Sequence, residues 1–347
     1  MSSLRPVTIV GGGLAGLSLG ILLRQRAVPV TLFEAGTYPR HRVCGEFLSG
    51  RGLAEIERMG LLPRLAACGA KEAKTVLFTS GRASSGVQPL PKTALCISRF
   101  KLDAELAQIY VESGGTLREQ ERWQDGFDRE GVVRATGRRP LPSGSRQRTL
   151  GLKAHARGAR LDADLEVHLI PNAYVGICQL GDGLVNVCGL FRRAATAPDL
   201  AATWRDWLRG PEGSSLRARL RDAVFDEDSF CAVAGLDLQS KKGGLPVGCA
   251  IGDSLAMIAP VSGNGMSLAV ESAAAAAPVL ERYSRGDLGW EPARKAISQR
   301  FDEIFARRLW WAEKAHLGLL RAGIGDLMLR LIPRLPRLWR LVFEQTR

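Results

Sequence analysis

The sequence predicts an α/β protein whose parallel sheet is interrupted by an antiparallel β layer and followed by C-terminal helices. Two observations predict this class. An apolar strand, a glycine turn, an apolar helix and a second strand follow one another over 7–36, which is the order of a βαβ unit. Short β-like runs dominate from about 150 to 248, and a strand, a glycine-rich turn and an alanine-rich helix return after residue 250.

Length and composition suggest more than one structural unit. A chain of 347 residues can bury a sizeable core. We expect a first domain assembled from 1–150 and 249–290, an inserted β-sheet layer over 151–248, and a helical segment over 291–347. The formal charge of +13 is spread along the chain rather than gathered in one block, so we expect no nucleic-acid partner.

Cysteine and histidine usage argues against a disulfide framework and against a metal site. The seven cysteines are scattered without a Cys-x-x-Cys pair, and none of the four histidines is paired at ligand spacing. The first residues lack a signal peptide, and no segment has the roughly 20 apolar residues that a spanning helix needs. We therefore expect reduced thiols, no metal, a cytoplasmic location and at most a peripheral membrane contact.

Hydrophobic periodicity predicts the individual elements. Strands are predicted over 7–10, 76–79, 94–97, 166–169, 174–179 and 184–190. Helices are predicted over 14–24, 49–59 and 101–112 and from about residue 266, and helix formers gather over 199–222. The stretch 138–148 contains Pro140, Pro142 and Gly144, which predicts a linker into the middle sheet.

The turn after the first strand reads Gly11-Gly12-Gly13-Leu14-Ala15-Gly16, a G-x-G-x-x-G motif in a Rossmann-type context. Gly11 allows the tight turn, Gly13 lets the backbone approach a diphosphate, and Gly16 lets the helix pack closely on the strand. Leu14 and Ala15 begin the helix, whose first N–H groups would face the anion. The motif therefore predicts a dinucleotide site.

An acidic residue supports this interpretation. Glu34 ends the second strand, 18 residues after Gly16, where its carboxylate would accept hydrogen bonds from ribose hydroxyls. The same carboxylate would repel a 2′-phosphate. The site is therefore expected to hold the adenosine diphosphate of FAD or NAD rather than that of NADP.

A second glycine turn favours FAD. Ile251-Gly252-Asp253 precedes Ala259-Pro260-Val261-Ser262-Gly263-Asn264-Gly265-Met266 and the alanine-rich helix. With the first motif, these segments make the chain resemble the superfamily of FAD-dependent aromatic hydroxylases (group A flavin monooxygenases) and geranylgeranyl reductase-like proteins. The resemblance implies a glutathione-reductase-like fold, a ribitol contact at Asp253, and a flavin-facing turn that includes Pro260, Gly263, Asn264, Gly265 and Met266. A helix N-terminus there would stabilise negative charge on the reduced ring.

The resemblance extends to two further segments. Cys44-Gly45-Glu46 within 42–50 resembles a motif near the flavin in the reductase-like branch, and Arg99 followed by Asp103 resembles an Arg-x-x-x-Asp beside the cofactor. It thus implies that Arg42, Cys44 and Arg99 lie near FAD. Cys44 is either a redox partner or a small packed residue. Glu46 is either an acid in the site, a helix cap or a partner of Arg42.

Three family signatures are missing. Ala135-Thr136-Gly137 stands where hydroxylases carry an Asp-Gly motif linked to nicotinamide use. The segment 171–176 lacks the tryptophan of the prenyl reductase motif, and the halogenase W-x-W-x-I-P is absent. Direct reduction by NAD(P)H, prenyl substrates and halogenation are therefore disfavoured. NAD(P)H stays the expected electron donor, acting directly or through a separate reductase.

Three functional hypotheses follow. The first is a monooxygenase in which reduced flavin reacts with O2 and the hydroperoxide hydroxylates or epoxidises an apolar or aromatic secondary metabolite, which could be carrier- or lipid-linked. The second is a reductase or dehydrogenase that acts on a C=C bond in a lipid-like substrate. The third is a membrane-surface flavoprotein without turnover. Candidate catalytic residues are Glu46, His155 and Tyr174.

The C-terminal segment bears on the third hypothesis. Residues 317–347 combine apolar side chains with Arg330, Arg334, Arg337 and Arg340, and Pro333 and Pro336 divide them into two short amphipathic helices. This segment either lies on an anionic membrane or caps the core with its arginines in solvent. The oligomeric state does not follow from the sequence.

Overall fold

The computed structural model describes residues 4–137, 148–193, 200–235, 248–258, 261, 263–321 and 323–346. Pro260 and most of the predicted linker 138–148 lie outside these residues. The strands are β1 (Val7–Val10), β2 (Val30–Glu34), β3 (Phe47–Leu48), β4 (Lys71–Thr79), β5 (Ser84–Cys96), β6 (Thr116–Glu119), β7 (Val132–Arg134), β8 (Arg148–Arg157), β9 (Leu165–Ile170), β10 (Ala173–Gln179), β11 (Leu184–Arg193), β12 (Val224–Ala234) and β13 (Cys249–Ala250).

The helices agree with most of the predicted segments. They are α1 (Leu14–Arg24), α2 (Gly50–Arg58), α3 (Leu62–Ala67), α4 (Arg99–Glu112), α5 (Leu200–Arg209), α6 (Ser215–Arg219), α7 (Gly265–Arg285), α8 (Trp290–Leu319), α9 (Ile324–Leu331) and α10 (Pro336–Gln345), with short 3-10 turns at Gly252–Ser254 and Ile332–Arg334. The two predicted C-terminal helices correspond to α9 and α10, because Pro333 and Pro336 prevent one continuous helix.

The first sheet is parallel and has the order β13-β7-β1-β2-β6 in the described chain. Val7 pairs with Val30, and Thr8 pairs with Val132. The strand order reverses at β1, so the crevice beyond its carboxyl end is the expected ligand site of such a sheet. α1 is apolar on all sides because it is enclosed by this sheet, α4 and α7. The predicted α/β fold is confirmed.

The second sheet has the order β12-β8-β11-β10-β9-β4-β5-β3 and is antiparallel except where β4 pairs with β9. Alternate residues face opposite sides. In β8, Leu152, Ala154 and Ala156 pack under α5 and α6, so Lys153 and His155 face the other side. The predicted antiparallel layer is therefore present, and strands from 47–96 extend it.

The sheet pairing differs from the predicted division of the chain. The range 1–150 was assigned to the first domain, yet β3, β4 and β5 belong to the second sheet. Parallel pairing of Val76 with Leu165 brings them there, and periodicity along a strand carries no information about its partner. The domain boundaries stay a prediction, but the antiparallel sheet takes strands from both sides of residue 150.

The long helix α8 packs on α7 through a buried ion pair. Nη1 and Nη2 of Arg308 lie 2.6 and 3.1 Å from the carboxylate of Glu271, and both side chains are buried. Such a bidentate pair fixes both the contact and the orientation of the helices. Among the residues that the structure describes, no helix is both long and apolar enough to cross a membrane.

Tyr110 joins α4 to the parallel sheet. Its side chain is fully buried, and its hydroxyl lies 2.9 Å from the carbonyl oxygen of Val30 and 3.2 Å from that of Thr116. A Cβ on Gly20 of α1 would lie 2.8 Å from the Tyr110 ring. The glycine therefore makes the slot that the ring fills.

We expect Tyr110→Phe to lower the free energy of unfolding by about 1–2 kcal/mol, because it leaves buried carbonyl oxygens without their donor. Urea titration followed by circular dichroism measures this change. Tyr283→Phe is the control, because the Tyr283 hydroxyl binds Glu130, whose side chain is 61% exposed. The free energy of unfolding of this variant should differ from that of the wild type by less than about 0.5 kcal/mol. Equal losses in the two variants would contradict the role given to Tyr110.

Candidate functional site

The first glycine turn connects the carboxyl end of β1 to α1. Gly11 has a φ of 108°, and a Cβ there would lie 2.5 Å from the carbonyl oxygen of Ala135. A Cβ on Gly16 would lie 2.0 Å from the carbonyl oxygen of Gly11, so only glycine allows this approach of helix and strand. A Cβ on Gly13 would meet nothing within 4 Å, because this residue borders a cavity.

α1 begins at this cavity without a side-chain cap. Leu14 and Ala15 line the cavity at its first turn. The N–H groups of a first helical turn have no partner within the helix, and they carry the positive end of the helix dipole. A diphosphate at Gly13 could accept from them.

Glu34 lies beside the turn and is held there by several donors. Its Oε2 accepts from the N–H of Gly12 at 2.9 Å, its Oε1 accepts from the N–H of Gly36 at 2.9 Å, and Nη2 of Arg40 lies 2.7 Å from Oε1. Burial raises the pKa of this carboxyl, but the hydrogen bonds from Arg40 and Gly36 and the charges of Arg40 and Arg42 outweigh burial and lower the pKa overall. Glu34 is therefore ionised at the end of β2, as a ribose acceptor must be.

Two residues near Glu34 were not predicted from the sequence. Arg40 forms the ion pair just described, and the Tyr38 hydroxyl donates to the carbonyl oxygen of Gly12. Neither residue belongs to a spaced motif, because both follow β2 in a loop. An aromatic residue and an arginine just after the acidic residue are the only signal that the sequence carries for them.

The second predicted turn lies across the same cavity. Asp253, Gly263, Gly265 and Met266 line it, and α7 begins there. A Cβ on Gly265 would meet nothing within 4 Å, so this backbone also borders open space.

Asn264 differs from its neighbours in this turn. Its side chain is fully buried, and its Nδ2 donates to the carbonyl oxygen of Thr346 at the end of α10. Its amide thus joins the turn to the C-terminal helix rather than lining the cavity. Because Thr346 is distant in sequence, the spacing of the motif could not reveal this contact.

Arg42, Cys44 and Arg99 line the cavity between the two turns. Arg99 binds the fully buried Asp103 through two hydrogen bonds of 2.7 Å. Nη2 of Arg42 lies 3.6 Å from Glu34, and its Nε lies 3.2 Å from Asp103. The predicted Arg99–Asp103 motif is therefore a bidentate ion pair that fixes the position of both arginines.

Glu46 and His155, two of the candidate catalytic residues, are in direct contact. Oε2 of Glu46 lies 2.7 Å from Nε2 of His155, and its Oε1 accepts from the N–H of Arg99 at 2.9 Å. The Lys153 ammonium lies 3.6 Å from the same carboxylate, and all three side chains are buried. Glu46 has a φ of 54°, an uncommon conformation for a residue other than glycine. Glu46 thus contacts both His155 and the first N–H group of α4, and its role as an acid stays a prediction.

His41 extends this cluster into the cavity. The Lys153 ammonium donates to its Nδ1 at 3.0 Å. Burial and the charges of Lys153 and His155 lower the pKa of His41 to about 4, so this ring is neutral near neutral pH. We call Glu46, Lys153, His155 and His41 the buried polar cluster. Lys153 and His41 were not predicted, although a charged residue alternating with His155 among small residues of β8 is unusual for a buried strand.

Tyr174, the third catalytic candidate, also lines the cavity. It is buried on β10, among Val167, Leu190, Val261 and Leu329, and its ring lies edge-on to that of His316, with centroids 6.4 Å apart. Phe78 packs against both this cluster and the one that contains Trp339 and Phe343 of α10, and all four aromatic side chains line the cavity. Tyr174 is thus separate from the buried polar cluster and borders an apolar end.

One continuous cavity of about 930 Å³ is lined by both glycine turns, by Glu46 and His41 of the buried polar cluster, and by the apolar end. This volume is near the upper limit of about 1,000 Å³ for small-molecule sites. Gly13, Gly45 and Gly265 border it with backbone that no side chain covers. The residues therefore fit an extended dinucleotide with its diphosphate at Gly13 and its ring near Gly45 and Gly265.

Comparison with known proteins identifies the N-terminal part. Residues 5–156 match the family model of the FAD binding domain. The menaquinone reductase of Mycolicibacterium smegmatis is 24% identical over 127 residues, which are 34% of this chain and 29% of that protein. The match therefore spans less than a third of the length of this relative.

Solved structures share the fold over nearly the whole chain. A geranylgeranyl bacteriochlorophyll reductase-like protein from Thermoplasma acidophilum has a TM-score of 0.75 at 16% identity, covering 94% of this chain and 91% of that chain. A triple mutant of the flavin-dependent brominase Bmp2 has a TM-score of 0.70 at 17% identity, covering 98% of each chain. Pseudomonas aeruginosa PqsL in complex with 2-aminobenzoylacetate has a TM-score of 0.68 at 18% identity, covering 94% of this chain and all of that one.

We expect Gly13→Ala to weaken FAD binding by about tenfold or more, because the added methyl group displaces the anion from charge-assisted N–H donors. Titration of apoprotein with FAD, followed by flavin fluorescence, measures the affinity. Gly81→Ala is the matched control, since a Cβ there also meets nothing within 4 Å but lies outside the cavity lining. Unchanged affinity in a correctly folded Gly13→Ala variant would exclude the diphosphate from this position.

We expect the protein to lose stability as the pH falls from about 6.5 to about 4. The pKa of His316, like that of His41, is lowered to about 4, by burial and then by the charge of Arg192. The unfolded chain therefore binds these protons first, which favours unfolding over this window. His316→Phe should show a smaller loss of unfolding free energy between pH 6.5 and 4, measured by urea titration. Above pH 7.5 its stability should change with pH as that of the wild type does.

Sequence motif, cavity and comparisons agree on the cofactor and the architecture. The matched range 5–156 contains both the first glycine turn and the Cys44-Gly45-Glu46 segment. The second turn and the antiparallel sheet follow in the positions expected for the fold. Residues 5–156 thus match an FAD-binding domain, and nearly the whole chain shares the fold of the flavin-dependent brominase and of the geranylgeranyl reductase-like protein.

Proposed function

We propose that this chain is an FAD-dependent monooxygenase that hydroxylates or epoxidises an apolar or aromatic metabolite. The electrons come from NAD(P)H, directly or through a separate reductase. The observation that carries this proposal is the single cavity that joins the glycine turns to an apolar end. A substrate in that end would lie next to the expected position of the flavin ring.

The lining of the apolar end supports the substrate class. Tyr174, Met257, Trp339 and Phe343 contribute aromatic and apolar surface, which gains free energy by covering an apolar ligand. His316 lies against Tyr174, and its pKa is lowered to about 4, so it brings no charge to this end near neutral pH. PqsL shares the fold and was solved with a small aromatic ligand.

FAD would supply the redox chemistry, and the protein would supply binding, orientation and protons. Gly13 and the start of α1 would hold the diphosphate, Glu34 the ribose, and the start of α7 the ring. Glu46 directly follows Gly45 in the chain, and the Glu46–His155 pair could exchange protons there. Because it is buried, its proton transfers are shielded from bulk water.

The buried polar cluster also supports a second candidate function, the reduction of a C=C bond. Such a reaction adds a hydride to one carbon and needs a proton for the other, which a buried acid can deliver. Glu46 lies within the Cys44-Gly45-Glu46 segment that resembles the reductase-like branch. The matched relative is a menaquinone reductase, and one similar structure is geranylgeranyl reductase-like.

Oxygen dependence distinguishes the two functions. The holoprotein is reduced anaerobically in a stopped-flow instrument with NADH and with NADPH, each with and without a lipophilic aromatic or a quinone. O2 uptake matched to hydroxylated or epoxidised product supports the monooxygenase. Formation of a saturated product without O2, with reoxidation of the flavin, would contradict the monooxygenase and support the reductase.

We expect Glu46→Gln to lower turnover about 10²-fold while FAD remains bound, because the amide cannot exchange a proton with His155. Steady-state turnover and visible flavin absorbance measure the two quantities. Glu72→Gln is the control, since Glu72 pairs with Lys74 on the surface and its side chain is 63% exposed. Full activity of Glu46→Gln across the pH range would show that the buried polar cluster does not supply protons to the reaction.

A further inference from the structure

The C-terminal helices carry an unusual concentration of exposed apolar side chains. Six of the ten large apolar side chains that are exposed in the described chain lie between residues 310 and 341. They are Trp310, Leu317, Ile324, Leu327, Leu335 and Leu341, with exposed fractions of 41–58%. Single exposed apolar residues are normal, but a cluster of them marks an interaction surface.

Basic side chains accompany this cluster. Lys314, Arg321, Arg330, Arg334, Arg337 and Arg340 are all exposed. Of the three acidic residues over 310–344, Glu344 is exposed, and Glu313 and Asp326 are half-buried; Asp326 accepts a hydrogen bond of 2.6 Å from Ser80. The surface therefore has a large excess of positive charge. We call these exposed apolar and basic side chains the C-terminal surface.

The same helices form a wall of the cavity on their inner side. Trp339 and Phe343 of α10 line it, and Leu329 of α9 packs, fully buried, in the cluster that contains Tyr174. The carbonyl oxygen of Thr346 accepts from Asn264 in the second glycine turn. In α9 and α10, exposed residues of the C-terminal surface and inward residues at the cavity or the Tyr174 cluster thus lie on the same helices.

We propose that the C-terminal surface docks on an anionic membrane and that the substrate is a lipophilic molecule taken from the bilayer. Apolar side chains interleaved with arginines are typical of helices that lie in a membrane interface. The arginines match the negative potential of anionic lipids. The substrate part of this proposal rests on the proposed function, whereas the docking part stands without it.

Vesicle sedimentation of the FAD-loaded protein tests the docking. The probes are vesicles of phosphatidylcholine alone and vesicles with about 30% phosphatidylglycerol, an anionic lipid. We expect binding to the anionic vesicles, at least tenfold weaker binding to the neutral ones, and loss of binding at high salt, because exposed charges are screened. No binding to either vesicle would overturn the proposal.

Charge-matched variants locate the contact. The triple variant Arg330→Gln, Arg334→Gln, Arg337→Gln should bind the anionic vesicles at least tenfold more weakly. The control variant Arg51→Gln, Arg118→Gln, Arg300→Gln removes the same charge from three exposed positions elsewhere and should bind within about twofold of the wild type. Equal losses in both variants would mean that net charge alone drives binding, which contradicts a defined surface.

Apolar variants test insertion separately from charge. Leu327→Ser with Leu335→Ser should weaken binding, whereas Val87→Ser with Val224→Ser, which alters two exposed valines elsewhere, should not. If a second copy of the chain covers the surface instead, the wild type would elute as a dimer that the leucine variant dissociates, without vesicle binding, and the proposal fails.

Turnover distinguishes this inference from the proposed function. Turnover of a water-soluble substrate without vesicle binding would support the proposed function and contradict membrane docking. Vesicle binding without turnover of any lipophilic substrate would support membrane docking and contradict the proposed function. Docking alone would then correspond to a membrane-surface flavoprotein.

Discussion

The approach of α1 to β1 is the constraint on which the site depends. A Cβ on Gly16 would meet the Gly11 carbonyl oxygen at 2.0 Å, so the helix can start directly above the strand only because both residues are glycine. That start directs the first N–H groups of α1 into the cavity beside Gly13. β2 then brings Glu34 to the same turn, where Gly12 and Gly36 hold its carboxylate. The glycine-turn end of the cavity is therefore a consequence of local packing.

The opposite end is built by pairing between distant strands. The face of β8 that bears Lys153 and His155 meets Glu46, which precedes β3. A carboxylate buried in this way requires charged and hydrogen-bonding partners, and the cluster supplies Lys153, His155 and the N–H of Arg99. Both proposed functions use this cluster, since each needs protons close to the flavin and shielded from solvent.

The C-terminal helices contribute both to the cavity lining and to the protein surface. Their inner residues complete the apolar end of the cavity, and Asn264 ties the end of α10 to the second glycine turn. Their outer residues are apolar and basic. The two interpretations of this segment left open by the sequence, a cap on the core and a membrane contact, therefore belong to opposite faces of the same helices.

The sequence alone determined the local features, because each depends on residues that are close together along the chain. These features are β1, α1, the two glycine turns, Glu34 and the Arg99–Asp103 pair. Tertiary structure alone decided which strands share a sheet, that Glu46 meets His155 and Lys153, and that Asn264 reaches Thr346 rather than the cavity. These contacts join residues 82–109 positions apart, and periodicity or spacing along the chain carries no information about such partners. They arise only when the two sheets and the C-terminal helices pack together.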